Sequence, residues 1–174
     1  MGAAVEKKSL VREFYKQFVA PVLPETLAWK LKFYSKHDYW PDLDRPRSLM
    51  EKIVWLLRND RNPLRATVAD RCKVRDFVAE KAPECKMPAH LWVGDNLTRD
   101  VWDQLPSKFV IKGNHGSQMS CIVDKSKDSF DSVKAETVKW LNTNYEDFFG
   151  EWVYASAARV LVVEEKLELN AIIP

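Results

Sequence analysis

Glycine is scarce in this sequence, with five in 174 residues, so little of the backbone can turn left-handed without strain and a pair of close glycines is informative. Cysteine is scarce too. Cys72, Cys85 and Cys121 are odd in number and spaced too widely for a C-x-x-C pair, which excludes a disulfide framework and a zinc knuckle and fits a reducing compartment. No stretch approaches the ~20 apolar residues that a membrane span requires. The N-terminal MGAAVEKKSLVREFYKQF is too charged for the apolar core of a secretory leader and lacks the Ser/Thr of a myristoylation signal. The expectation is a cytoplasmic protein. An excess of one charge is also missing: 27 basic residues face 25 acidic ones, for a net +2, so composition makes no case for nucleic acid or an anionic membrane as partner.

What is present is a globular composition, 46% hydrophobic and 11% aromatic, enough for one sizeable core. Leu10, Phe14 and Phe18 recur at helical spacing before Pro21 and Pro24. Tyr34 to Pro46, rich in Asp, Pro and aromatics, reads as irregular; Trp40 there is core or a ring able to stack on a base or sugar. Ser48 with Glu51 three positions on is a capping box ahead of Ile53, Val54, Leu56 and Leu57. Asn62-Pro63 opens a further helix as N-cap and first residue, expected to bury Leu64, Val68, Phe77 and Val78 and to leave Asp70, Arg71 and Arg75 open to solvent or ligand. His90 to Val93 is a short strand, and Val101 to Pro106 a linker. Phe109 to Ile111 and Cys121 to Val123 are β-prone runs that make Lys112 to Ser120 a hairpin loop. Ser132 to Asn144 has helical spacing, and Arg159 to Glu164 (RVLVVE) is the strongest strand. Helices first, then hairpin, helix and strand, is an α+β order. The expected division is a mostly helical region over 1–106 and a sheet-containing subdomain over 107–174.

The loop Lys112-Gly113-Asn114-His115-Gly116-Ser117 puts a cation at a strand end beside two of the glycines. Glycines admit close approach of backbone N–H groups to oxygen, Ser and Asn add donors, and the ammonium supplies charge, a combination suited to phosphate. A plain hairpin turn selects Gly and Asn as well. The Walker spacing G-x-x-x-x-G-K-[ST] is absent. His37 and His90 have no Cys or carboxylate at ligand spacing and are not read as metal ligands. Glu151, Trp152 and Tyr154 either position a substrate or anchor the connection into the last strand.

MEKIVWLLRNDRNPL, VADRCKVRDFV, LPSKFVIKGNHGS, the helix ending Trp140-Leu141-Asn142, Glu151-Trp-Val-Tyr154 and RVLVVEEKLE together resemble, in order and spacing, the TupA-like family of ATP-grasp proteins. The resemblance implies an ATP-grasp-like fold, a partial antiparallel sheet with packed helices, and an association with cell-surface polysaccharide biosynthesis. It further implies ATP and Mg²⁺ as cofactors, and a ligase that makes an acyl phosphate from a carboxylate and passes it to an acceptor. Carried onto this sequence, Lys112 touches the nucleotide phosphates, and Gly113, His115, Gly116 and Ser117 lie in the flap over them. Arg71 stands where a Lys reaches a phosphate. Glu164 is the hinge acid with its carbonyl toward the adenine amino group, beside Glu165, and the Leu167 N–H meets adenine N1. The family's Mg²⁺-holding strands would follow the hinge, so the expectation is a truncated chain with Val160 to Val163 missing flanking strands and prone to self-association. The alternative is a degenerate relative acting as an interaction module.

Overall fold

A computed structural model of the chain describes residues 23–144 and 152–167. The apolar stripe at Leu10, Phe14 and Phe18 lies outside them, as does Glu151. The chain divides into two compact units, residues 1–60 and 61–174.

In the first unit, α1 spans Glu25–His37 and α2 spans Leu49–Asn59. Helix α1 takes in Tyr34 to His37, expected to be irregular, and stops where Asp38 turns left-handed at φ 58 and its N–H caps the Tyr34 carbonyl. Phe33 is buried and meets the rings of His37 and Tyr39 at 4.4 and 5.1 Å. The capping box forms: the Glu51 N–H donates to Ser48 Oγ and the Ser48 N–H to Glu51 Oε2, at 3.2 and 2.8 Å. The same carboxylate also accepts from the amides of Arg47 at 2.9 Å and Asp42 at 3.1 Å. Glu51 therefore gathers the whole 42–48 connection onto the helix start.

The second unit runs α3 (Pro63–Ala69), α4 (Lys73–Lys81), β1 (His90–Gly94), α5 (Arg99–Gln104), β2 (Lys108–Gly113), β3 (Ser120–Asp124), α6 (Phe130–Leu141), a 3₁₀ turn at Trp152–Tyr154 and β4 (Leu161–Glu165). The fold is α+β, with six helices and four strands among the described residues. Asn62 caps α3 as expected, accepting from the Leu64 N–H. The single helix expected from there to Val78 is instead two. Asp70 interrupts it, because its carboxylate accepts the amides of Cys72 and Lys73 and starts α4. Asp70 is thereby buried, not solvent-facing, while Leu64 and Val68 are exposed. Val101 to Pro106 is expected as linker, but residues 99–104 are helical because Thr98 Oγ1 accepts the Val101 N–H and caps the turn.

The sheet order is β1-β4-β2-β3, every pair antiparallel. β4 is thus an inner strand. Leu161, Val162 and Val163 are fully buried, so the bare flank expected for this segment is absent: β1 and β2 cover its two edges. Pairing of β1 with β4 brings residues 90–94 into the later strands' sheet. Antiparallel register puts opposed residues on one face. Phe109, Ile111, Leu161, Val163 and Val123 fill one face together with Trp102 of α5 and Val133 and Trp140 of α6. The other face carries Lys112, Val162, Glu164 and His90.

The amides that converge on Glu51, those of Ser48 and Arg47 foremost, hold its pKa down to about 2 from the ordinary 4.5. Folding then favours the ionised form, so its contribution is complete above pH 4.5 and is lost as the pH falls toward 2. A carboxyl-carbon NMR titration is expected to place Glu51 near that value, and Glu51→Gln to flatten the acid loss of stability over this range. A midpoint near 4.5 would contradict the assignment.

Candidate functional site

The site grows from the polar face of the sheet. Lys112 stands opposite Val162 and Glu164 opposite Val110, so the lysine and the acid are diagonal neighbours, within reach of long side chains. Lys112 Nζ lies 2.5 Å from Glu164 Oε2, with side-chain exposures of 30% and 7%. An acid this buried requires its cation, and removal of one partner of such a pair costs about 3–5 kcal/mol. Lys112 still carries three donors, of which the pair uses one. From the other edge, His90 is directly opposite Glu164, and its Nε2 lies 3.5 Å from Glu164 Oε1. Burial, then Arg75, push the His90 pKa below its ordinary value, against the pull of Glu164.

Beyond Lys112 the strand continues one residue further. A Cβ on Gly113 would lie 3.1 Å from the Cβ and Sδ of Met119, and the Gly113 N–H closes the hairpin on the Met119 carbonyl at 2.8 Å. Any larger residue here would require Met119 to give by a few tenths of an ångström. Asn114, His115 and Gly116 are buried and Ser117 is half-buried. Gln118 supplies the left-handed turn, φ 59, without being glycine. His115 faces the end of α6, Nε2 2.9 Å from the Trp140 carbonyl, and its Nδ1 is buried without a hydrogen bond among the described residues. The imidazole therefore ties the loop to the core, and burial lowers its pKa despite the Trp140 carbonyl.

Arg71, which the sequence places at a phosphate, is turned onto this loop: Nη1 donates to the carbonyls of Gly113, Asn114 and Gly116. Among the described residues, the amides of His115, Gly116 and Ser117 donate to no protein acceptor. At the far end of β4, the Glu165 N–H donates to the Ala89 carbonyl at 3.0 Å, whereas the Ala89 N–H goes to the Glu165 carboxylate at 2.8 Å. That amide does not close on Glu165's own carbonyl. Leu167 follows, 60% exposed. The loop thus lies at the start of β4, Glu165 and Leu167 lie at and past its end, and the Lys112–Glu164 pair stands between them on one face. Trp152 sits under the Arg61 guanidinium, 5.3 Å from ring centre to Cζ.

His90 is the participant that sequence reasoning left out of the site, whereas Asn114, read as a donor in the phosphate loop, is bonded to protein groups. His90 is 74 positions from Glu164 in the chain, and only strand register makes them neighbours. Asn114 had the signal of a turn residue, which concealed its burial.

No curated protein and no solved structure matches the chain. A family model described as TupA-like ATPgrasp matches residues 51–172, a span that includes both strands carrying the Lys112–Glu164 pair and the loop between β2 and β3.

Because both imidazoles are held neutral by burial, the unfolded chain takes up protons that the folded one resists once the pH drops below about 6.5. Stability is expected to fall on acidification from that point, and a His90→Gln/His115→Gln double variant to lose much of the dependence. Denaturant melts at pH 7.5, 6.5 and 5.5 measure it; equal slopes in both proteins would remove the histidines from the explanation.

Proposed function

The chain belongs to the TupA-like ATP-grasp family, and we propose that its second unit binds ATP with the β2–β3 loop over the phosphates and the end of β4 beside the adenine. The observation that carries this is the loop's polarity. Its carbonyls at Gly113, Asn114 and Gly116 are gathered onto Arg71, and among the described residues the amides of His115, Gly116 and Ser117 are left without protein acceptors, in the loop that follows Lys112. Backbone donors are nearly always paired, so unpaired ones in a turn that follows a lysine are a ready site for an anion. Lys112 would spend its remaining donors on phosphate oxygens while Glu164 holds it in place. The Glu165 carbonyl, passed over by the Ala89 amide, and the Leu167 N–H offer the acceptor and donor that an adenine edge needs. Glu164, inside the ladder on both edges, contributes through its carboxylate.

For Mg²⁺ the described residues do not fit: no group of three or more His, Cys, Asp or Glu side chains gathers among them. The nearest acids are engaged, Glu164 by Lys112 and Glu165 by the Ala89 amide. No metal ligand is therefore assigned, and no step is routed through one. We read the activity as ATP-dependent ligation of a carboxylate in surface polysaccharide or conjugate synthesis on the strength of the family, and the cytoplasm as its compartment from the cysteine usage and the charged N-terminal stretch.

Ligand-induced thermal stabilisation tests the site. An ATP analogue at ~100 times its Kd should add about 2.7 kcal/mol, and Lys112→Ala should abolish most of that increment. The variant's own midpoint will fall first, because Glu164 loses its cation, so the increment is read and Lys112→Ala/Glu164→Gln serves as the better-folded background. No increment in the unchanged protein at millimolar nucleotide would favour a non-catalytic interaction module of the same ancestry.

A further inference from the structure

Arg71 occupies the turn between α3 and α4, a turn held from below by the buried Asp70 carboxylate, which accepts the Cys72 and Lys73 amides at 2.9 and 3.1 Å. From there one guanidinium nitrogen reaches three loop carbonyls, Gly113 at 2.7 Å, Gly116 at 3.0 Å and Asn114 at 3.3 Å. The backbone reinforces the contact: the Arg71 N–H donates to Asn114 Oδ1 at 2.7 Å. Asn114 is itself fully buried. It passes the connection on, its Nδ2 donating to the Ala158 carbonyl at 3.1 Å and its N–H to the Val160 carbonyl at 2.8 Å. The loop is thus fastened to the α3–α4 turn on one side and to the lead-in of β4 on the other.

A peptide carbonyl and the N–H that follows it point in opposite directions. With the carbonyls of Asn114 and Gly116 drawn to Arg71, the amides of His115 and Ser117 turn away from it. We propose that Arg71 is a positioning residue: by holding the carbonyls of Gly113, Asn114 and Gly116 it keeps the loop amides open toward a polyphosphate, and it is not itself a phosphate ligand. This rests on the nucleotide reading above and goes beyond it, since it assigns the cation to the loop and not to the ligand. A charge on three carbonyls also explains why a loop poor in glycine can hold this shape: the electrostatic clasp replaces backbone permissiveness. Asn114, uncharged and enclosed, is the second half of the clasp.

The test separates clasp from ligand by reading the free protein. Hydrogen exchange by NMR on the full chain without nucleotide is expected to rise at least roughly tenfold at the position-114 amide in Arg71→Ala, the scale of losing charge-assisted bonds, with the β2–β3 ladder unchanged. Asn114→Ala should do the same although it removes no charge. Should Arg71→Ala fail to fold, Arg71→Lys keeps a cation among the carbonyls and should restore exchange to within about threefold of the unchanged chain. Calorimetry with AMP-PNP and with adenosine supplies the second reading: both alanine variants should weaken AMP-PNP roughly tenfold and leave adenosine unaltered. Unchanged exchange in a folded Arg71→Ala overturns the proposal. So does a loss of AMP-PNP affinity confined to Arg71→Ala, which is the mark of a direct phosphate contact. If the unchanged protein binds no AMP-PNP, the nucleotide reading fails; raised exchange alongside that result would leave Arg71 a structural clasp and refute its positioning role.

Discussion

The pairing of β4 on both edges is the constraint on which the second unit depends. A strand with β1 on one side and β2 on the other has its backbone donors and acceptors satisfied without water, so Leu161, Val162 and Val163 can be fully buried. The same pairing sets what each face carries. Alternation sends Leu161 and Val163 into the core with Phe109, Ile111 and Trp102, and sends Glu164 to the opposite face, where Lys112 and His90 meet it. A slip of one residue would put the acid into the hydrocarbon core and Val163 onto the face of Lys112. Core and site are therefore two sides of one register.

Electrostatics then divides the labour among the cations. Lys112 neutralises Glu164 and remains 30% exposed, with donors to spare. Arg71 is committed to backbone carbonyls, and Arg75 donates to the Pro88 carbonyl at 2.6 Å, holding the chain that leads into β1. Two of three basic side chains around the polar face thus organise backbone, which leaves Lys112 as the one best placed to meet an anion. The family match spans Lys112, Glu164 and the loop.

Much of the fold was legible in local pattern. The capping box at Ser48 and Glu51, the Asn62-Pro63 start, the hairpin around Lys112 and the strand RVLVVE all depend on residues a few positions apart, and all appear in the structure. The errors share a different cause. Asp70 was read as a polar residue on a helix surface, but its short carboxylate competes for the helix's own amides and breaks it in two. Val101 to Pro106 looked like linker because the Thr98 cap that starts the helix there contributes little to periodicity. The flank of β4 looked bare because its partner, β1, precedes it by some seventy residues.

Sequence by itself determined the short-range chemistry: a lysine at a strand end, a loop with two glycines, an acid at the end of a hydrophobic strand. Tertiary structure alone decided which of these meet. Lys112 and Glu164 are 52 positions apart, Arg71 and the loop carbonyls more than forty, and no local propensity encodes such contacts. They arise because burying the apolar face of β4 admits one register, and that register carries the polar residues with it. It also decided that Arg71, which looked available to a ligand, serves the backbone of the loop.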